Sequence, residues 1–317
     1  MRALPNGDCG FSVVAQSCAP SAAGRDQTVL AQQIVSGLAT GSLYALTAIG
    51  IVLIFRNTRT INLAQGDFSM IGAFVALAVL DTFRVGLLSA LVVTVVAITL
   101  LAVAVERLIM RPIEQADWLT LFTATLGVFY ILHGVAGWLW GRDTKSFPAL
   151  FPSSPVSIAG TLISQAHLFN MLVAAIVGAL LYVFFRFTKP GIAMRAITED
   201  PVAAQLMGIP VRRIVVLTWA VGGVLAAISG VLLAPLVYVS TQMMDTVLVK
   251  GYVGAVFGGL YSLPGAVIGS LIIGVAENLA GGYLGAQYKV TIAFVLIVLV
   301  LAFKPRGLFG GRARREI

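Results

Sequence analysis

KPGIAMRAITEDPVAAQLMGIPVRR, from Lys189 to Arg213, is a polar interruption in a chain that is otherwise almost continuously hydrophobic. Thr198 or Asp200 has a side chain able to cap a helix N-terminus, and Pro201 suits the first helical turn. Ala203, Ala204 and Gly208 then give this helix a small-residue face, and Gly208 with Pro210 stops it. So short a helix has too little apolar surface to span a bilayer. Its Ala-Ala-x-x-x-Gly spacing lets the backbone of another protein approach closely, so the stretch reads as a docking element in a loop between membrane spans.

The composition around that loop settles the class. With 59% hydrophobic and 11% charged residues and a mean hydropathy of +0.97, several runs reach the roughly 20 apolar residues that cross a bilayer. The expectation is an all-α polytopic membrane protein. The net charge of +8 does not point to nucleic acid, because the basic residues cluster beside hydrophobic spans instead of lining a polar face. Anionic lipid and membrane topology account for them.

Before the loop, hydrophobic segments cover about 29–55, 61–80, 85–105, 119–140 and 168–187. The longest polar connection falls at 141–165 and is rich in Pro and Ser. After the loop, 214–237 and 290–303 are further spans. Between them 246–258 is too short to cross, 259–265 breaks the pattern, and 266–279 continues it. That region reads as a pair of half-helices or a broken hairpin, tolerated at membrane depth only where protein or a water-filled cavity surrounds it. The total is about eight membrane helices. Residues 1–27 form a polar tail, 28–304 the transmembrane domain with the loop at 188–213, and 305–317 a basic tail. Cys9 and Cys18 lie in the first tail, with no metal spacing or catalytic thiol motif around them.

If the spans alternate, Arg56, Arg59, Arg107, Arg111, Arg186, Lys189, Arg195, Arg212, Arg213, Lys304, Arg306, Arg312, Arg314 and Arg315 fall on one side. Arg2, Arg25, Arg84, Arg142, Lys145, Lys250 and Lys289 fall on the other. The richer side is expected to be cytoplasmic, which places the loop and the C-terminus inside and the N-terminal tail outside.

Polar residues inside apolar spans are the second signal. Asn62-Leu-Ala-Gln-Gly-Asp67 sits where the second span should already have begun. A charge at membrane depth costs roughly 2.5 to 3.5 kcal/mol on insertion scales, so Asp67 is expected to face the bundle interior or a cavity. Two readings stand open: part of a translocation path, or a capping cluster at a helix start where Asp67 also favours the dipole. Glu277 is the other embedded acid, able to line a path, pair with Lys250 or Lys289, or mark the end of its span. Gly259 and Pro264 lie in the broken segment. His133 is a lone histidine on an apolar helix and reads as a packing residue. Glu106, Arg107 and Arg111 lie at a span boundary. No G-x-x-x-x-G-K-[ST] loop or H-E-x-x-H motif occurs, so ATP hydrolysis, metal catalysis and a resident cofactor are not expected of this chain.

The run Gly191-Ile-Ala-Met-Arg-Ala196, with Asp200, Ala203, Ala204 and Leu206-Met-Gly-Ile209, resembles the coupling loop of LivH-type permeases, the membrane subunits of branched-chain amino acid ABC importers. Thr60-Ile-Asn-Leu-Ala-Gln-Gly-Asp-Phe-Ser-Met-Ile-Gly-Ala73 resembles the same family. The matching stretches together cover most of residues 37–307. Val202 stands where the wider ABC-importer loop signature carries Glu, and that signature's Ile-x-Leu-Pro ending is missing.

The resemblance implies a bacterial cytoplasmic-membrane permease that translocates branched-chain or other hydrophobic amino acids by alternating access. It implies coupling to ATPases through Arg195, Glu199, Asp200, Ala203, Ala204 and Gly208. Asn62, Gln65, Gly66, Asp67, Gly259, Pro264 and Glu277 are the candidate pathway residues. The implied partners are a LivM-like second permease, two ATPase subunits and an extracytoplasmic solute-binding protein. Urea, short amides or aromatic compounds are the alternative cargoes. The rival classes are a channel and an ion-coupled secondary transporter using Asp67 or Glu277; a membrane enzyme lacks any clustered acid, base, nucleophile or metal set.

Overall fold

Seven helices in the computed structural model are long and apolar enough to cross a bilayer, counted among the described residues 22–83, 86–148, 156–158, 161–304 and 307–309. The expectations for residues 1–21, including Cys9 and Cys18, and for the basic residues of 310–317 lie outside that set.

Helix α1 spans Ala22–Thr58 and so starts before the expected span. Helix α2, Gln65–Phe83, begins later than the hydropathy alone indicates, because Asn62 turns the chain first and accepts from the Ala64 N–H through Oδ1 at 3.2 Å. Helix α3, Leu87–Val105, widens into a π turn at Glu106–Met110 and then tightens into a 3-10 turn at Arg111–Ile113. Helix α4 is Trp118–Trp140. The polar connection then forms one antiparallel hairpin, β1 Val156–Ile158 with β2 Thr161–Ile163, a small exception to the all-α expectation. Helix α5 is Gln165–Phe187.

The polar stretch folds as two helices instead of one, α6 at Lys189–Glu199 and α7 at Pro201–Leu206. Helix α8 is Val211–Val237. Of the two readings of the broken segment, its two helices form the hairpin and not the pair of half-helices. Helix α9, Asp245–Gly258, is short, whereas α10, Leu263–Tyr283, has full spanning length because Pro264 occupies its first turn, where no N–H is needed. Helix α11, Lys289–Phe303, is a shorter apolar helix that ends the bundle.

Helix α1 lies at the centre, with 83% of its apolar window buried, and α10 runs antiparallel beside it. The two touch backbone to backbone: a Cβ at Gly274 would fall 2.4 Å from the Gly41 Cα, which is why small residues sit there. Helices α2 and α8 pack the largest core, where Phe68 meets Trp219 edge to face at 6.5 Å and Phe74 stacks on Trp140 at 5.2 Å. Helices α3, α4 and α5 turn Leu88, Val92, Tyr130, Leu172 and Leu180 outward, an apolar rim suited to lipid.

One end of the bundle is basic. There Arg59 closes α1 in a left-handed conformation with φ 56° and donates to the Tyr261 hydroxyl at 2.8 Å, while Arg212 pairs with Glu114 at 3.0 Å. Helices α6 and α7 sit at this end. Lys250 does not lie free at the opposite surface as charge counting expected; it is part-buried between helices, where Glu277 compensates it.

Candidate functional site

Position along neighbouring helices fixes the depth of the Asn62 to Asp67 run. Gln65 Nε2 donates to the Gly222 carbonyl oxygen at 3.1 Å. Gly222 follows Val211 by eleven residues, about 16 Å along the axis at about 1.5 Å per residue. The Gln65 side chain also abuts Gly50, eight residues or about 12 Å from the Thr58 end of α1. Helix α2 therefore starts near the middle of a hydrocarbon layer about 30 Å thick. Asn62, Gln65 and Asp67 are all buried, and the Tyr252 hydroxyl of α9 donates to the Asn62 carbonyl oxygen at 2.6 Å. Gly66 faces Leu248 of α9.

Asp67 is the unsatisfied member of this cluster. It is 3% exposed, and its Oδ2 has no hydrogen-bond partner. His133 of α4 brings Nδ1 to 3.4 Å from Asp67 Oδ1, a contact without hydrogen-bond geometry, since the same Nδ1 is unpartnered. Phe129 stacks against the imidazole at 5.8 Å. Asp245, at the start of α9, acts on Asp67 electrostatically. Helices α2, α4 and α9 thus converge on one polar patch that runs from the buried Asp67 through the part-exposed His133 to the exposed Asp245, and His133 belongs to it.

The other candidate pathway residues lie elsewhere. Glu277 binds Lys250 at 2.5 Å and accepts from the Tyr44 hydroxyl at 3.0 Å. Lys250 and the pair Leu248 and Tyr252 are two residues apart on α9, so they point to opposite sides of that helix at 3.6 residues per turn. The Glu277 site is therefore separated from the Asp67 site by α9. Gly259 and Pro264 are at the basic end, beside Arg59 and Tyr261.

At that end the residues expected to dock take definite positions. Asp200 Oδ1 accepts from the N–H groups of Val202 and Ala203, both at 2.9 Å, capping α7; Thr198 is not the cap. Gly208 ends α7 with φ +83°, a conformation that suits glycine. The expected small-residue face is divided. Ala203 is exposed, but Ala204 is buried against Met194, Ile197 and Leu53, where only a small side chain lets α7 seat. The outward surface carries Val202, Leu206 and Met207, with Leu206 84% exposed. Arg195 and Glu199 are exposed on α6.

Sequence reading passed over Asn57. Its Nδ2 donates to Thr218 Oγ1 of α8 at 3.0 Å, and its Oδ1 accepts from Thr198 Oγ1 of α6 at 3.1 Å. Asn57 thereby joins the loop helices to two spans, and Gly222, the Gln65 acceptor, follows Thr218 by about one helical turn. An amide in the last turn of an apolar span was the only local sign.

The chain matches the family described as the permease component of branched-chain amino acid transport systems over residues 33–301. It is 32% identical over 292 residues to the high-affinity branched-chain amino acid transport system permease protein BraD of Pseudomonas aeruginosa, covering 88% of this chain and 95% of that protein. It is 31% identical over 294 residues to the LivH permease protein of Salmonella typhimurium, with the same coverage. A probable LivH permease protein of Methanocaldococcus jannaschii is 29% identical over 286 residues, covering 85% of this chain and 89% of that protein.

Proposed function

The chain belongs to the permease-component family of branched-chain amino acid transport systems, and from that membership we propose that it translocates branched-chain or other hydrophobic amino acids as the membrane-spanning subunit of an ABC importer. The observation that carries the reading is the family match over nearly the whole bundle, residues 33–301. The multi-pass helical architecture supports it.

In this account the chain supplies the passage and separate ATPase subunits supply the energy. Helices α6 and α7 are the docking element. The exposed Val202, Leu206 and Met207 give an ATPase groove an apolar ridge, with Arg195, Glu199 and Asp200 beside it. Three neighbouring apolar side chains turned outward on an otherwise polar loop support a partner at this face. A push on α6 reaches α1 and α8 through Thr198, Asn57 and Thr218, and α8 holds Gln65 at mid-depth. Alternating access then consists of α2, α8 and α9 rearranging around the Asp67 patch. A LivM-like second permease, a second ATPase and an extracytoplasmic solute-binding protein complete the assembly.

The test is uptake into proteoliposomes holding the chain with its co-expressed subunits and binding protein. ATP-dependent accumulation of labelled leucine, with urea accumulating at least tenfold more slowly, supports the proposal. Faster uptake of urea, or leucine uptake that ignores ATP, defeats it.

A further inference from the structure

A groove of about 540 Å3 runs between α5, α1, α6 and α10 at the basic end of the bundle. Ile49, Leu181, Phe185 and Val267 form its apolar walls, and Arg56, Arg186 and Arg195 also line it. Among the described residues, none of the three arginines has a carboxylate within 4 Å; the ion pairs are made by His133, Arg212 and Lys250, none of which lines the groove. Arg56 Nε is buried with no hydrogen-bond partner. Arg195 repels Arg56, and Glu199 acts on Arg56 only from beyond ion-pair distance. Arg186 donates to the Tyr182 hydroxyl and lies over the Tyr182 ring at 5.7 Å, which leaves most of its fork of donors free.

Among the described residues the three guanidinium groups lining the groove have no carboxylate at ion-pair distance, Glu199 acting on Arg56 only from farther off, and a buried donor without an acceptor is costly. An anion among them relieves both. A small soluble anion would leave the apolar walls unfilled, whereas a lipid offers a phosphate and a hydrocarbon chain on one molecule. The groove is also placed to receive one. Helix α5 is peripheral, with only 6% of its apolar window buried, so its outer side meets the bilayer. Basic pockets between membrane helices on the cytoplasmic side hold anionic headgroups for these reasons.

We propose that this groove is a binding site for an anionic phospholipid, with the headgroup phosphate on Arg56, Arg186 and Arg195 and one acyl chain along Ile49, Leu181, Phe185 and Val267. The site is independent of what the permease carries. Because Arg195 is on α6, the lipid ties the docking helix to α1 and α5 from the membrane side.

The experiment is native mass spectrometry of the full-length chain in mild detergent, titrated with phosphatidylglycerol and with chain-matched phosphatidylcholine. Phosphatidylglycerol should bind about tenfold more tightly, and Arg56→Gln and Arg186→Gln should each weaken it about fivefold, as expected for one basic contact apiece. Gly178→Phe tests the slot without touching the arginines. A Cβ at Gly178 meets nothing within 4 Å, so the ring enters the groove, and it should weaken binding at an unchanged melting temperature. Equal affinity for the two lipids, or variants that bind as the parent does, overturns the proposal. Glycerol phosphate competing as well as the intact lipid overturns it in favour of a headgroup site alone. A photo-cross-linker at Tyr182 in native membranes should capture lipid; capture of another polypeptide would assign the groove to a protein interface instead.

Discussion

Lys250 on α9 and Glu277 on α10 form an ion pair at 2.5 Å inside the bundle, with side chains only 13% and 7% exposed, and the Tyr44 hydroxyl of α1 contacts both. Three helices are pinned by charges that neither could carry alone at this depth. Removing one partner leaves the other buried and uncompensated, so Lys250→Met and Glu277→Met should each destabilise the fold by about 3 to 5 kcal/mol. The Lys250→Met, Glu277→Met double variant should recover most of that loss. Melting curves of the four proteins in one detergent measure the coupling, and additive losses would refute it.

Asp67 should behave in the opposite way. Its Oδ2 is buried and unpartnered, so Asp67→Asn removes a carboxyl oxygen that the fold leaves unsatisfied. The variant should melt at or above the parent temperature while uptake in the reconstituted complex falls at least tenfold. A variant that is destabilised and transports normally would mark the residue as structural.

The stretch 60–73 shows what was legible in the sequence. Polar residues inside an apolar run announced a buried site, and Asp67 had to face inward. Which groups meet it could not be read, because His133 and Asp245 arrive from helices far along the chain. Lys250 shows the limit most plainly. Charge counting assigned it to one side because it knows sides but not depths; pairing with Glu277 was one of three readings open to that acid, and the packing of α9 against α10 selects it. Hydropathy indicated about eight spans where seven helices reach spanning length, because α11 is shorter, α9 fell below span length and α10 looked broken, a proline at a helix start resembling a proline within one. Asp200 and Gly208 were legible because caps are local; Ala204 facing inward was not, since orientation depends on the core beneath α7.

The glycines of the bundle separate by what surrounds them. A Cβ at Gly230 would lie 1.9 Å from the Ser69 carbonyl oxygen, whereas one at Gly127 or Gly134 meets nothing within 4 Å. Gly230→Ala should therefore cost about 1 to 3 kcal/mol by forcing α2 and α8 apart. Gly127→Ala and Gly134→Ala should leave stability unchanged or raise it by up to about 1 kcal/mol through helix propensity. Equal melting temperatures across the three would contradict the α2–α8 packing.

Asn57 should separate coupling from binding. Asn57→Ala removes both its hydrogen bonds, to Thr218 and Thr198, at a cost of about 1 to 3 kcal/mol. ATPase subunits should still co-purify, because the α7 ridge is intact, but hydrolysis should no longer accelerate on addition of loaded binding protein. Unaltered stimulation would remove Asn57 from the route.

The central claim is that α7 is where the energy enters, and affinity purification of the tagged chain co-expressed with its ATPase tests it most directly. Leu206→Asp puts a charge on the exposed ridge without touching the core, and the loss of a central apolar contact should weaken association by about 2 kcal/mol or more, roughly thirtyfold. The account predicts that the ATPase accompanies the parent chain and is lost from Leu206→Asp, with both proteins melting at the same temperature. Equal recovery of the ATPase with the two chains, or substrate accumulation driven by the parent chain alone, would contradict it.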